Sequence, residues 1–157
     1  IDGTVLWWRN RQSRPVPYHN QNFQRASLAS RTMIWSGGAI FFFVVYHLLH
    51  FTMHVTNTEY ASLTYGDGHM DVYSMIVIGF QNPIISAVYI LAVFCLAVHL
   101  THGIASFFQT MGWNKTEVQP TYRRIAYATS AILFVGYASI PAAVLLGILK
   151  KLPEGVR

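Results

Sequence analysis

Three long stretches of this 157-residue chain carry no charged side chain. They run from Thr32 to Val55, from Gln81 to Met111 and from Ile125 to Leu149. Each exceeds the roughly 20 residues an α-helix needs to cross a hydrocarbon core about 30 Å thick. Lipid offers the backbone no hydrogen-bond partners, so a crossing segment must pair its own N–H and C=O groups, as a helix does. The sequence therefore predicts an all-α membrane protein, a transmembrane helix bundle with spans near 32–55, 83–108 and 125–149. Only 11% of residues are charged and 53% are hydrophobic. A soluble domain carries about 25% charge.

The charges that remain lie between the spans. Residues 9–31 hold Arg9, Arg11, Arg14, Arg25 and Arg31 and no acid. The connection 56–80 holds Glu59, Asp67 and Asp71 and no Lys or Arg. The connection 109–124 holds Lys115, Arg123 and Arg124 against Glu117. The positive-inside rule puts 9–31 and 109–124 in the cytoplasm and 56–80 outside. The tail, with Lys150, Lys151 and Arg157, then falls outside against the rule. The net charge of +5 is a topology signal. Nucleic-acid binding fits poorly, because the basic residues flank apolar spans and form no stripe.

Ile1–Trp8 reads as the end of a preceding membrane segment, with Trp7 and Trp8 at the interface. Residues 1–31 are accordingly expected to be a cytoplasmic segment after a missing membrane helix, and 32–157 the transmembrane domain. Tyr65–Gly68 predicts a turn, and Asp71–Phe80 an apolar segment along the outer surface. Asn82-Pro83 opens the second span, and Pro141 predicts a kink in the third. Cys95 lies within a span, so no disulfide framework exists.

Five histidines lie inside these apolar stretches: His47, His50 and His54 in the first, His99 and His102 in the second. A polar ring at membrane depth is costly and usually has a partner or a function. Neutral imidazole is the commonest protein ligand for a metal, haem iron included. His47, His50 and His54 fall at i, i+3, i+7 and so on one helical stripe, and His99 and His102 share a face likewise. Small residues nearby, Ser36-Gly37-Gly38 and Gly103-Ile104-Ala105-Ser106, leave room for a flat ring. A single intramembrane histidine can equally bond across helices or cap a carbonyl. Five on two adjacent spans weaken that reading. His54, at the outer end, suits an interfacial or quinone-pocket role or none.

Depth separates them. At 1.5 Å per residue His47 is about 22 Å along its helix from the cytoplasmic side, and His99 about 14 Å. The two are poorly placed to sandwich one iron. They suit two haems stacked across the membrane, each needing a second ligand from elsewhere. A zinc site would use a tighter set with Cys or acid, and the spans hold no carboxylate. No phosphate loop or nucleophile motif is present.

Four clusters carry a family resemblance over nearly the whole chain. They are Leu6-Trp7-Trp8-Arg9-Asn10-Arg11 through Arg14-Pro15-Val16; Ser30-Arg31 and Ser36-Gly37 with His47 ten residues after that glycine; Asp71-Val72-Tyr73 with Phe80-Gln81-Asn82-Pro83; and His99-Leu100-Thr101-His102-Gly103 through Phe108-Gln109-Thr110-Met111-Gly112. The chain resembles the dihaem cytochrome b membrane anchor of succinate:quinone oxidoreductases (succinate dehydrogenase or fumarate reductase), five-helix type. That family has five spans and four histidine ligands; three spans and two matching ligands are present here.

The resemblance implies two b haems, each with its second axial ligand from outside this chain. His47 matches the outer-haem ligand of the family's third helix. The spacing to Gly103 and Gly112 selects His99 as the inner-haem ligand of the fourth, with His102 the alternative. Ser30, Arg31 and Ser36 become candidate propionate contacts, with Gly37 and Gly103 beside the rings. A positive-inside flank and a helix cap explain the first three nearly as well. His50 and His54 become quinone candidates near the outer haem.

The implied partners are an iron–sulfur subunit, a flavoprotein subunit, membrane lipid, a quinone such as menaquinone and further copies of the complex. The implied place is a bacterial inner membrane. Succinate–fumarate chemistry would lie on the flavoprotein, leaving this chain the quinone site. The rivals are a dihaem cytochrome b of another quinone-linked oxidoreductase and a non-redox transporter or scaffold.

Overall fold

A computed structural model describes residues 2–13, 28–65, 68–113 and 117–151. Helix α1 spans Asp2–Gln12 and α2 spans Leu28–His47. A π-helical turn, Leu48–Thr52, continues α2, and a short 3-10 helix, Thr58–Ser62, follows. Then come α3 (Val72–Gln81), α4 (Pro83–Thr110) and α5 (Gln119–Leu145). The described residues contain no strand, only an isolated bridge between Thr64 and Met70. Gly68 N–H donates to Tyr65 O at 2.9 Å, so the predicted turn closes.

Among the described residues, three helices are long and apolar enough to cross a membrane: Thr32–Thr52, Pro83–Thr110 and Gln119–Leu145. The chain is an all-α, membrane-spanning protein, as its charge-free stretches predict. Helix α4 is the centre of the bundle, with α2 on one flank and α5 on the other. In lipid, helices gain little from apolar area alone and associate through close packing. Ala97 on α4 and Ala126 and Ser130 on α5 are accordingly buried. Phe94 meets Phe134 at 5.8 Å and Phe108 stacks on Tyr122 at 4.3 Å, which fixes α4 and α5 as antiparallel.

The tightest packing lies at one end. Val77 and Phe80 of α3, Tyr89 of α4 and Val144 of α5 form a buried cluster, with Phe43, Tyr46 and Phe51 against it. Helix α3 is the apolar segment expected along the outer surface, and it packs over the ends of α4 and α5. Asp71 caps it, accepting from Ser74 N–H at 2.9 Å. Tyr73 OH donates to Lys150 O at 3.0 Å, so the start of the tail lies at the same end as this connection.

The helix ends differ from expectation, and each difference has a local cause. The first span stops at Thr52 rather than 55, because the π turn is followed by His54 in a left-handed conformation, φ 54°. The expected single stripe of three histidines is broken there. The third span starts at Gln119 rather than 125, with Pro120 pre-set in its first turn. Arg123 and Arg124 limit how deep that turn sits, not whether it is helical. The same span ends at Leu145 because Gly147, φ 70°, reverses the chain. Gly147 N–H donates to Val144 O and Ile148 N–H to Ala143 O, a Schellman motif. Gly112, φ 77°, ends α4 the same way, with Trp113 N–H on Phe108 O. Pro141 is buried within α5, which stays helical through it.

Candidate functional site

The helical register brings two of the sequence clusters together. Ser36 and Gly37 on α2 face His99 on α4. Ser36 Oγ lies 2.9 Å from His99 Nδ1 and 3.1 Å from Met33 O. A hydroxyl has one proton, and the carbonyl can only accept. Ser36 therefore donates to Met33 O and accepts from His99 Nδ1–H. That assigns the tautomer: Nε2 of His99 keeps its lone pair. A Cβ on Gly37 would stand 3.5 Å from His99 Cε1, an ordinary contact, so Gly37 lies directly against the ring.

His102, one turn on, uses its nitrogens differently. Its Nε2 lies 2.9 Å from Ser106 Oγ of its own helix. A Cβ on Gly103 would meet nothing within 4 Å among the described residues. The side chains of Ser30 and Arg31 lie outside the described residues, as does His19.

His47 stands at the other level. Its ring is exposed on α2 and makes no hydrogen bond among the described residues. Phe43, Phe51 and Tyr89 wall it at centroid distances of 6.1, 5.9 and 5.9 Å. Ten residues of α4, about 15 Å of helix, separate Tyr89 from His99. The two histidines thus lie at clearly different depths.

His50 shares the Phe51 and Tyr89 rings with His47, at 4.1 and 5.8 Å, and His54 lies against Tyr60 at 6.1 Å. His50 is 0% exposed. Its Nδ1 is hydrogen-bonded to Tyr89 OH at 3.0 Å and its Nε2 to Tyr60 OH at 3.4 Å. His54 is half-buried, and its Nε2–H donates to Phe51 O at 3.1 Å, leaving Nδ1 unbonded among the described residues. Burial pushes the Tyr60 hydroxyl above its ordinary pKa, helped by Glu59 and then Tyr46, so it stays a neutral donor or acceptor. Among the described residues no three His, Cys, Asp or Glu side chains converge.

Sequence reasoning missed the aromatic shell, above all Tyr89 and Tyr60. A signal was present: a tyrosine inside an apolar span carries a hydroxyl that needs a partner at that depth. Reading Tyr89 with the histidines of the facing helix points to the pair.

Neither the curated proteins nor the solved structures give a match to the chain. The family model described as succinate dehydrogenase/fumarate reductase transmembrane subunit matches residues 10–140. That range takes in α2 through most of α5, with His47, His99 and their surroundings. The chain belongs to the succinate dehydrogenase/fumarate reductase transmembrane subunit family.

Proposed function

We propose that this chain carries electrons between an iron–sulfur subunit and a membrane quinone through two b haems, held at different depths by His47 and His99. The supporting observation is the state of the two rings. Among the described residues, His99 is oriented by Ser36 with Nε2 unbonded, and His47 is exposed with no hydrogen bond. A metal-bound histidine typically gives its other ring N–H to a hydrogen-bond acceptor, which fixes tautomer and orientation. Ser36 does this for His99. His102 spends Nε2 on Ser106 and is the weaker candidate.

Bound haem supplies one-electron redox chemistry, and the protein tunes it through ligand, burial and hydrogen bonds. The second ligand to each iron comes from a further helix. Ser30 and Arg31 lie at the start of α2, the level of His99, where hydroxyl and guanidinium groups suit propionates, while Ser36, its proton given to Met33 O, serves His99. The quinone site falls at the other end, where His54 keeps Nδ1 free and His50 has both nitrogens engaged. The flavoprotein that acts on succinate or fumarate joins through the iron–sulfur subunit at the face nearest His99. The setting is the cytoplasmic membrane of a bacterium.

A reduced-minus-oxidised visible spectrum of the purified complex tests the reading. It should show a b-type α-band that resolves into two components in a redox titration. A spectrum without that band refutes the proposal.

A further inference from the structure

We propose that Tyr89, anchored by His50 and Tyr60, is a positioning residue that fixes the orientation of the His47 imidazole. The proposal rests on the reading of His47 as a haem ligand and adds what aims the ring.

Tyr89 is 5% exposed and sits where several rings close in. Phe43 and Phe80 meet it edge to face at 5.0 Å, and Phe51 at 5.6 Å. It presents itself to His47 at 5.9 Å with an interplanar angle of 61°. Of the three rings that wall His47, only Tyr89 carries a polar group that can be tied down. Its hydroxyl is tied to His50 Nδ1. An unpaired hydroxyl at this depth is expensive, so the bond restrains the ring.

His50 is held in turn. Tyr46 stacks on it at 5.4 Å and 22°, and Phe51 lies against it at 4.1 Å. Tyr60, 1% exposed, reaches its Nε2 from the outer connection. A neutral imidazole donates from one nitrogen and accepts at the other. One phenol therefore donates to His50 and the other accepts from it, so both ring nitrogens of His50 are engaged. Helix α3 closes the cradle: a Cβ on Gly79 would fall 2.8 Å from Phe51 Cζ and 3.1 Å from Tyr60 OH.

The backbone is shaped to the same end. The π turn begins at Leu48, directly after His47. Within it His50 is buried, while His47, just before it, stays exposed. Such turns are uncommon and concentrate at functional sites.

Three variants of the intact complex test this against His47→Ala, which identifies the haem concerned. Tyr89→Phe keeps the ring and removes its anchor. His50→Leu removes the anchor from the other side. His50→Asn places an amide near the position of Nδ1 and retains the bond to Tyr89. Tyr89→Phe and His50→Leu should shift the midpoint potential and the low-spin ferric EPR signal of the His47-dependent haem, and leave the other haem unchanged. His50→Asn should restore both to the wild-type values. Should His50→Leu fail to assemble, Tyr89→Phe decides alone. An unshifted haem in Tyr89→Phe, or an equal shift of both haems, overturns the clamp. Retention of both haems by His47→Ala overturns the haem reading beneath it.

Discussion

At the scale of single residues, one proton decides the chemistry of His99. Ser36 has one hydrogen to give, and Met33 O takes it. Replacing Ser36 with Ala strands His99 Nδ1–H in a half-buried setting, at about 1 kcal/mol. Loss of such a supporting bond typically weakens metal binding about 10–100-fold. Ser36→Ala should therefore release haem from the His99 site more readily on dilution, read as loss of its α-band component, whereas Ser36→Thr should hold it. His54→Ala should raise the KM for quinone with haem content unchanged. An unchanged KM removes His54 from the quinone site. Gly79→Ala forces a methyl into Phe51 and Tyr60, and overpacking of this kind costs about 1–3 kcal/mol. Thermal unfolding of the complex in detergent should show the lowered midpoint. His47 and His99 stand out as candidates in the sequence because imidazole is rare at membrane depth. The difference between His99 and His102 was not legible from spacing alone. It depends on which serine each ring meets, across helices or along its own.

At the scale of elements, the helices were legible and their ends less so. Absence of charge over 20 or more residues identifies a span whatever its neighbours. A span's end depends on a single backbone conformation, such as Gly147 at φ 70° or His54 at φ 54°. The π turn could not be read at all, since Leu48–Thr52 is as apolar as what precedes it. Short α3 depends on its cap, so Asp71→Ala should cost about 1 kcal/mol and speed proteolysis of the outer connection. The same connection should respond to alkaline pH. Tyr60 has a folded pKa above its ordinary value of 10.0, so its contribution is complete below that value. As pH rises past about 10 the unfolded form ionises first, and the contribution fades. Proteolysis should stay constant through mildly alkaline pH and accelerate above it. A flat response above pH 10 contradicts the burial of that hydroxyl.

At the scale of the whole molecule, three spans lead from the end bearing the start of α2 to the end bearing α3. The start of the tail lies beside α3, tied by Tyr73 to Lys150. Reporters placed after Arg157 and within 56–80 should read the same side of the membrane, and one within 109–124 the other. Agreement between the tail and the 109–124 reporters contradicts the topology. Sequence depth separates His47 from His99 by about 8 Å, whereas the ten residues of α4 from Tyr89, beside His47, to His99 span about 15 Å. The shortfall arises because the sequence estimate starts from assumed helix ends. The structure instead fixes the separation by partners, Tyr89 beside one ring and Ser36 beside the other.

Two ligands at two levels is the claim on which the account stands. Redox titration of the complex carrying His47→Ala or His99→Ala, followed at the b-type α-band, tests it most directly. Each variant should lose one component, and not the same one. Loss of the same component in both variants, or of none in either, would contradict it.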